Sequence, residues 1–186
     1  MVMNKKGLFG FLLALVSSQA AATLMLSPAD CNVGVNCWTT NVNSTLTTTE
    51  VMSLIGTGTV LTQLYKQDVG AGTDTGPFAA SYMTSFSNTA TDPEDALISY
   101  VGGDAIACPE CYLLVKDGNQ TPAQYIFDIG AWDGIMDIDL TGFWPNQGAI
   151  SHVALYGTGR STEVPEPATL ALLGIGLLGL GIRRFK

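Results

Sequence analysis

Two apolar runs, one near each end of the chain, confine any soluble fold to the residues between them. From Ala168 to Ile182 no side chain is charged and only Thr169 is polar, so a helix there must lie in lipid or deep in protein. At about 1.5 Å per residue the run spans roughly 22 Å, short of the roughly 30 Å hydrocarbon core, and makes a weak anchor. Arg183, Arg184 and Lys186 follow it and hold that end on the cytoplasmic side, leaving everything before Pro165 outside. At the other end Lys5 and Lys6 precede the apolar run Leu8 to Val16 and then Ala20-Ala21-Ala22, the pattern of a secretory signal peptide cut after Ala22. The expected organisation is a signal peptide over 1–22, an exported domain over 23–160, a linker over 161–164 and a C-terminal segment over 165–186 with a transmembrane helix at 168–182.

Pro165-Glu166-Pro167 stands immediately before the C-terminal apolar run. The prolines cannot continue the helix backwards, so the tripeptide stays extended and accessible at the membrane surface. This order of Pro-Glu-Pro, short Gly/Leu-rich span and terminal Arg183-Arg184 cluster resembles the PEP-CTERM sorting tail of Gram-negative, exopolysaccharide-producing bacteria. The resemblance covers Pro165 to Lys186. It implies a substrate of the exosortase, a membrane-embedded transpeptidase, which passes the chain from the inner membrane to the cell surface or its extracellular matrix. Gly174-Ile175-Gly176-Leu177-Leu178-Gly179 matches a dinucleotide-binding pattern, but the preceding strand and the following acidic residue are missing, so the glycines read as packing positions in a lipid helix.

The intervening segment is strongly acidic. Lys66, Lys116 and Arg160 face fifteen Asp and Glu, a balance of −12 against −8 for the whole chain. Such a surface repels nucleic acid, and anionic polysaccharide too unless divalent cations bridge the two. Four cysteines fall in the exported segment, as an oxidising compartment allows. Cys31–Cys37 and Cys108–Cys111 form the simplest disulfide pairing, with two other pairings open. Cys108-Pro109-Glu110-Cys111 also fits redox or zinc chemistry, but the chain has one histidine, His152, and the other cysteine pair is differently spaced.

Short runs with strand character recur at Phe78 to Phe86, Ala96 to Val101, Tyr112 to Lys116, Tyr125 to Ile129, Ile135 to Leu140 and His152 to Tyr156, separated by Gly, Pro and Asn-containing turns. They predict a mainly β domain, an antiparallel β-sandwich or jelly roll. One short helix is predicted over Thr48 to Ile55, capped by Thr47 or Thr48, with Glu50 in its first turn and Gly56 as its stop. Tyr112 to Asn119, Ala131 to Gly134 and Gly142 to Val153 also resemble a block of exported PEP-CTERM proteins of unassigned activity, which implies a shared β-sandwich module and no catalytic residues.

Candidate chemistry is sparse, and no catalytic residue is assigned. Ser151 and His152 are neighbours and on a strand point to opposite faces, and no G-x-S-x-G elbow occurs. Asp104, Glu110 and Asp128 are candidates for paired-carboxylate hydrolysis, but an acidic composition alone generates such candidates. Gly157 to Ser161 lacks the spacing and lysine of a phosphate loop and reads as linker. No cofactor is expected, with calcium at Asp133, Asp137 and Asp139 as the one metal candidate, against the alternative of a solvated acidic face. Trp132 and Trp144, in turn-rich sequence, are candidate glycan contacts if exposed and core residues if not. These observations favour a structural or adhesive surface protein over a lectin-like module, with extracellular polysaccharide as a possible partner in either case and an enzyme as the remotest reading.

Overall fold

The computed structural model describes residues 22–162 except 71, 73, 88–91, 118, 146–147 and 160, with backbone only at 161–162. The predicted signal peptide up to Ala21, the transmembrane helix and the sorting tail lie outside the described residues. Among the described residues no helix is long and apolar enough to cross a membrane.

In chain order the elements are β1 (Thr23–Leu26), β2 (Cys37–Thr40), α1 (Thr48–Ile55), β3 (Thr62–Asp68), β4 (Tyr82–Ser87), β5 (Asp95–Tyr100), β6 (Ala105–Ile106), β7 (Cys111–Lys116), β8 (Gln124–Asp128), β9 (Asp137–Leu140), β10 (His152–Gly157) and β11 (Ser161–Thr162). Two sheets face each other, one ordered β1-β9-β5-β4 and the other β2-β8-β7-β10-β3, with β11 and β6 forming a separate two-stranded ribbon. The mainly β, two-sheet architecture is that of a sandwich. It departs from a purely antiparallel one because β1 runs parallel to β9, pairing Thr23 with Asp137 and Leu26 with Leu140.

The predicted alternation in β9 is realised: Ile138 and Leu140 are fully buried while Asp137 and Asp139 lie on the outer face. Ala96 and Ile98 of β5 and Tyr82 of β4 join them against Leu113, Val115, Phe127, Val153 and Leu155 of the larger sheet. Phe78, expected to begin a strand, is instead buried in the turn before β4, where its N–H donates to the Leu64 carbonyl.

A third layer, absent from the sequence expectation, covers the far face of the five-stranded sheet. There α1, with Leu46 and Leu61 around it, packs on Tyr112, Leu114, Ile126, Ala154 and Tyr156. This explains why β7 and β10 are buried at every position: with both faces covered, a strand reads as a continuous apolar run and loses its alternation. Thr47 caps α1 by accepting from the Glu50 N–H, while the Glu50 carboxylate accepts from the Thr47 N–H. These bonds hold Glu50 below its ordinary carboxylate range, chiefly through the Thr47 backbone. At the other end Gly56 takes φ 74°, the left-handed conformation glycine adopts without strain, and its N–H reaches the Met52 carbonyl.

Ser161 and Thr162, expected to open a flexible linker, form β11 on β6, pairing with Ile106 and Ala105. Gly157 likewise closes β10. The folded body therefore extends almost to the Pro-Glu-Pro tripeptide.

Candidate functional site

Strand directions bring both ends of the body to one end of the sandwich. β1 starts beside the start of β9, and the loops leading into β2, β3, β7 and β9 gather at that same end. The chain leaves there too, because β6, the partner of β11, is held beside Gly134: the buried Tyr82 hydroxyl donates to the Gly134 carbonyl at 2.7 Å and accepts from the Ile106 N–H at 2.8 Å. Gly134 has φ 84°, and a Cβ on it would lie 2.2 Å from the Ile106 carbonyl oxygen, so only glycine fits this junction.

Both disulfides staple loops at this end. Cys31–Cys37 closes the loop before β2 and Cys108–Cys111 the loop before β7, each with Cα atoms 5.1 Å apart. Such loops lack a ladder of their own, and the covalent closure limits the conformations available to them. Cys108-Pro109-Glu110-Cys111 is thus closed as a disulfide, with no free thiol among the described residues.

A groove of about 550 Å³ lies between these loops, lined by Thr23, Leu24, Asn36, Asp128, Trp132 and Met136 among others. Its polar groups are engaged locally. Asp128 Oδ1 accepts from the Gly130 N–H, the Asn36 carbonyl accepts the Asp128 N–H, and Asn36 Nδ2 donates to the Asp30 carbonyl.

The two tryptophans proposed as glycan contacts are core residues. Trp132 is 3% exposed, packs on Tyr82 and donates its indole N–H to the Met136 carbonyl at 2.7 Å. Trp144 is 9% exposed, packs on Tyr125 and Phe143 and donates to the Pro122 carbonyl at 2.8 Å. Their turn-rich flanks bend the rings inwards, and each indole N–H finds a backbone acceptor as a buried one must. Trp144 also lines a second groove of about 590 Å³ beside Pro28, Tyr125 and Pro145.

The calcium candidate at Asp133, Asp137 and Asp139 finds no support in the geometry. Among the described residues no group of three His, Cys, Asp or Glu side chains is placed to hold a metal. Asp133 Oδ1 accepts from the Ile135 and Met136 N–H groups at 2.9 and 2.8 Å and so shapes its own turn. Asp137 and Asp139 stand on the outer sheet face, with Asp139 level with Met25 and Leu97 in the neighbouring strands.

At the opposite end His152 is 3% exposed, its Nδ1 3.7 Å from Asp68 Oδ1. Burial, reinforced by Lys66 and Lys116 and opposed by Asp68, pushes its pKa down to about 4. Lys66 pairs with Asp68 and buried Lys116 donates to the Asp117 carbonyl. Asp117 in turn accepts from the Asn119 and Ala149 N–H groups. Ser151 Oγ donates to the Lys116 carbonyl and is not bonded to His152, so the pair forms no nucleophile and base. Glu110 is held below its ordinary range by the Thr57 and Thr59 hydroxyls, opposite to what a general acid requires.

Residues 163–184 match the family model of the PEP-CTERM protein-sorting motif, which takes in Pro165, Glu166, Pro167, Arg183 and Arg184. No curated protein and no solved structure matches the chain. The motif begins immediately after Thr162, the last residue of the β6–β11 ribbon. The chain thus carries the PEP-CTERM protein-sorting motif, which supports an exported protein sorted by an exosortase.

Proposed function

We propose that the β-sandwich is a non-catalytic structural or adhesive module, delivered by exosortase processing to the cell surface or extracellular matrix in an exopolysaccharide setting. The observation that carries this reading is the direct junction of a sorting motif to a folded, disulfide-stapled body. Of its candidate catalytic side chains, Asp128 lines the groove but is engaged in its own turn, while Ser151 bonds the Lys116 carbonyl and Glu110 accepts from Thr57. The lectin-like alternative loses the support of Trp132 and Trp144, which are buried, while Trp38 is only half-buried.

Replacing Pro165, Glu166 and Pro167 together by alanine tests the sorting step. The wild-type chain is expected to lose Arg183 to Lys186 and fractionate with the surface or matrix, whereas the variant keeps its full mass in the inner membrane. A wild-type chain that retains Arg183 to Lys186 in the cell makes the tail a permanent anchor and removes the reading. The structural role is tested separately: a strain lacking the chain should release more matrix polysaccharide on washing, and unchanged retention counts against that role.

A further inference from the structure

Nine large apolar side chains are exposed among the described residues, and their distribution is uneven. Val33, Val35, Val60, Val101 and Ile135 all sit in the loops at the end where the chain enters and leaves, with Val33, Val35 and Val60 at 62%, 69% and 77% exposure. Met25, Met83 and Leu97 lie on the outer face of the four-stranded sheet, and Val42 is at the opposite end. Singly scattered apolar residues need no explanation, but five on the loops of one end make a rim. The same end exposes Asp104, Asp128 and Asp133; of the three basic residues between the two tails, Lys66 and Lys116 lie at the far end of β3 and β7 and Arg160 directly precedes β11.

Chain length decides what this rim must meet. Pro165 is three residues beyond Thr162, within about 11 Å of the β11 end when fully extended, and Ala168 is within about 22 Å. Whatever engages the tripeptide therefore comes against this end of the sandwich. A bare bilayer with anionic headgroups is a poor match, because the exposed carboxylates are repelled by it. A protein surface with apolar sockets framed by basic groups matches both the valines and the acids.

Building on the exosortase reading, we infer that the loop rim of Val33, Val35, Val60, Val101 and Ile135 is a docking surface for the outward face of the sorting enzyme, and recognition extends beyond the Pro-Glu-Pro tail. The disulfide across Cys31 and Cys37 presents Val33 and Val35 on a loop already constrained, which reduces the ordering that docking requires.

The test uses the full chain in cells that contain the exosortase. A photo-crosslinking residue at Val35 is expected to yield an adduct with the exosortase, identified by antibody, whereas the same residue at Val42 yields none. The double variant Val33→Ser/Val35→Ser, and separately Ile135→Ser in a different loop, should convert on the order of tenfold more slowly when the enzyme is not saturated. Retained disulfides and an unchanged melting midpoint show that the variants are folded. A lipid adduct in place of the enzyme adduct, or wild-type conversion by both folded valine and isoleucine variants, overturns the docking surface. The Pro165→Ala/Glu166→Ala/Pro167→Ala chain keeps the two claims apart. Its continued processing would remove the sorting reading, whereas its arrest beside normal conversion of the rim variants would remove docking alone.

Discussion

Tyr82 shows how much one side chain organises at the end where the chain enters and leaves. Its ring touches Tyr65, Tyr100 and Trp132, and its hydroxyl ties β6 to the turn before β9. Burial pushes its pKa up to about 12, so it stays a neutral donor and acceptor at physiological pH. Tyr82→Phe keeps the ring but leaves the Ile106 N–H and the Gly134 carbonyl without their partner. A loss of about 1–3 kcal/mol is expected for each group stranded in the interior, read from the urea midpoint at unchanged m-value. The sequence put Tyr82 on a half-buried strand correctly, but its alternation carries no sign of the hydroxyl's partners, which are 24 and 52 residues away. Trp132 and Trp144 were ambiguous for a related reason. Gly and Pro around them report a turn, and a turn can aim a ring inwards as readily as outwards.

Elements whose determinants are local were legible. α1 begins and ends as predicted because Thr47, Glu50 and Gly56 lie within the helix or next to it. Thr47→Ala removes the side-chain acceptor for the Glu50 N–H and is expected to cost about 1 kcal/mol, measured by chemical denaturation. Thr47→Ser should recover most of it. The first three strands were missed. β3 reads Thr-Gln-Leu-Tyr-Lys-Gln-Asp, with only Leu64 and Tyr65 buried, and its place at the sheet edge comes from pairing with β10 almost ninety residues later. The helical layer was hidden likewise: an eight-residue helix announces its ends but not the sheet it will cover.

For the whole molecule, His152 ties stability to acid. His152 has a pKa of about 4 in the folded state against an ordinary 6.5, so the unfolded chain binds the additional proton between those values. Stability then rises with pH across the window: the contribution is complete above pH 6.5 and is lost as pH falls towards 4, amounting to roughly 3 kcal/mol. Melting midpoints of wild type and His152→Gln, taken from pH 7 to 4, should show a steeper decline in the wild type. Parallel curves would mean that His152 is not held neutral. The sorting motif and the sandwich class were readable from the chain because each repeats a local pattern, Pro-Glu-Pro with its basic end or alternating strands with turns. The apolar rim was not, because its five residues come from four separate loops that only strand direction assembles.

Entry and exit at the same end also make the body modular. A domain whose two ends lie on one side can be spliced into an exposed turn of an unrelated host without forcing that turn apart across the domain's length. Residues 23–162 thus have the geometry of an insertable cassette, with the tail as a separable label.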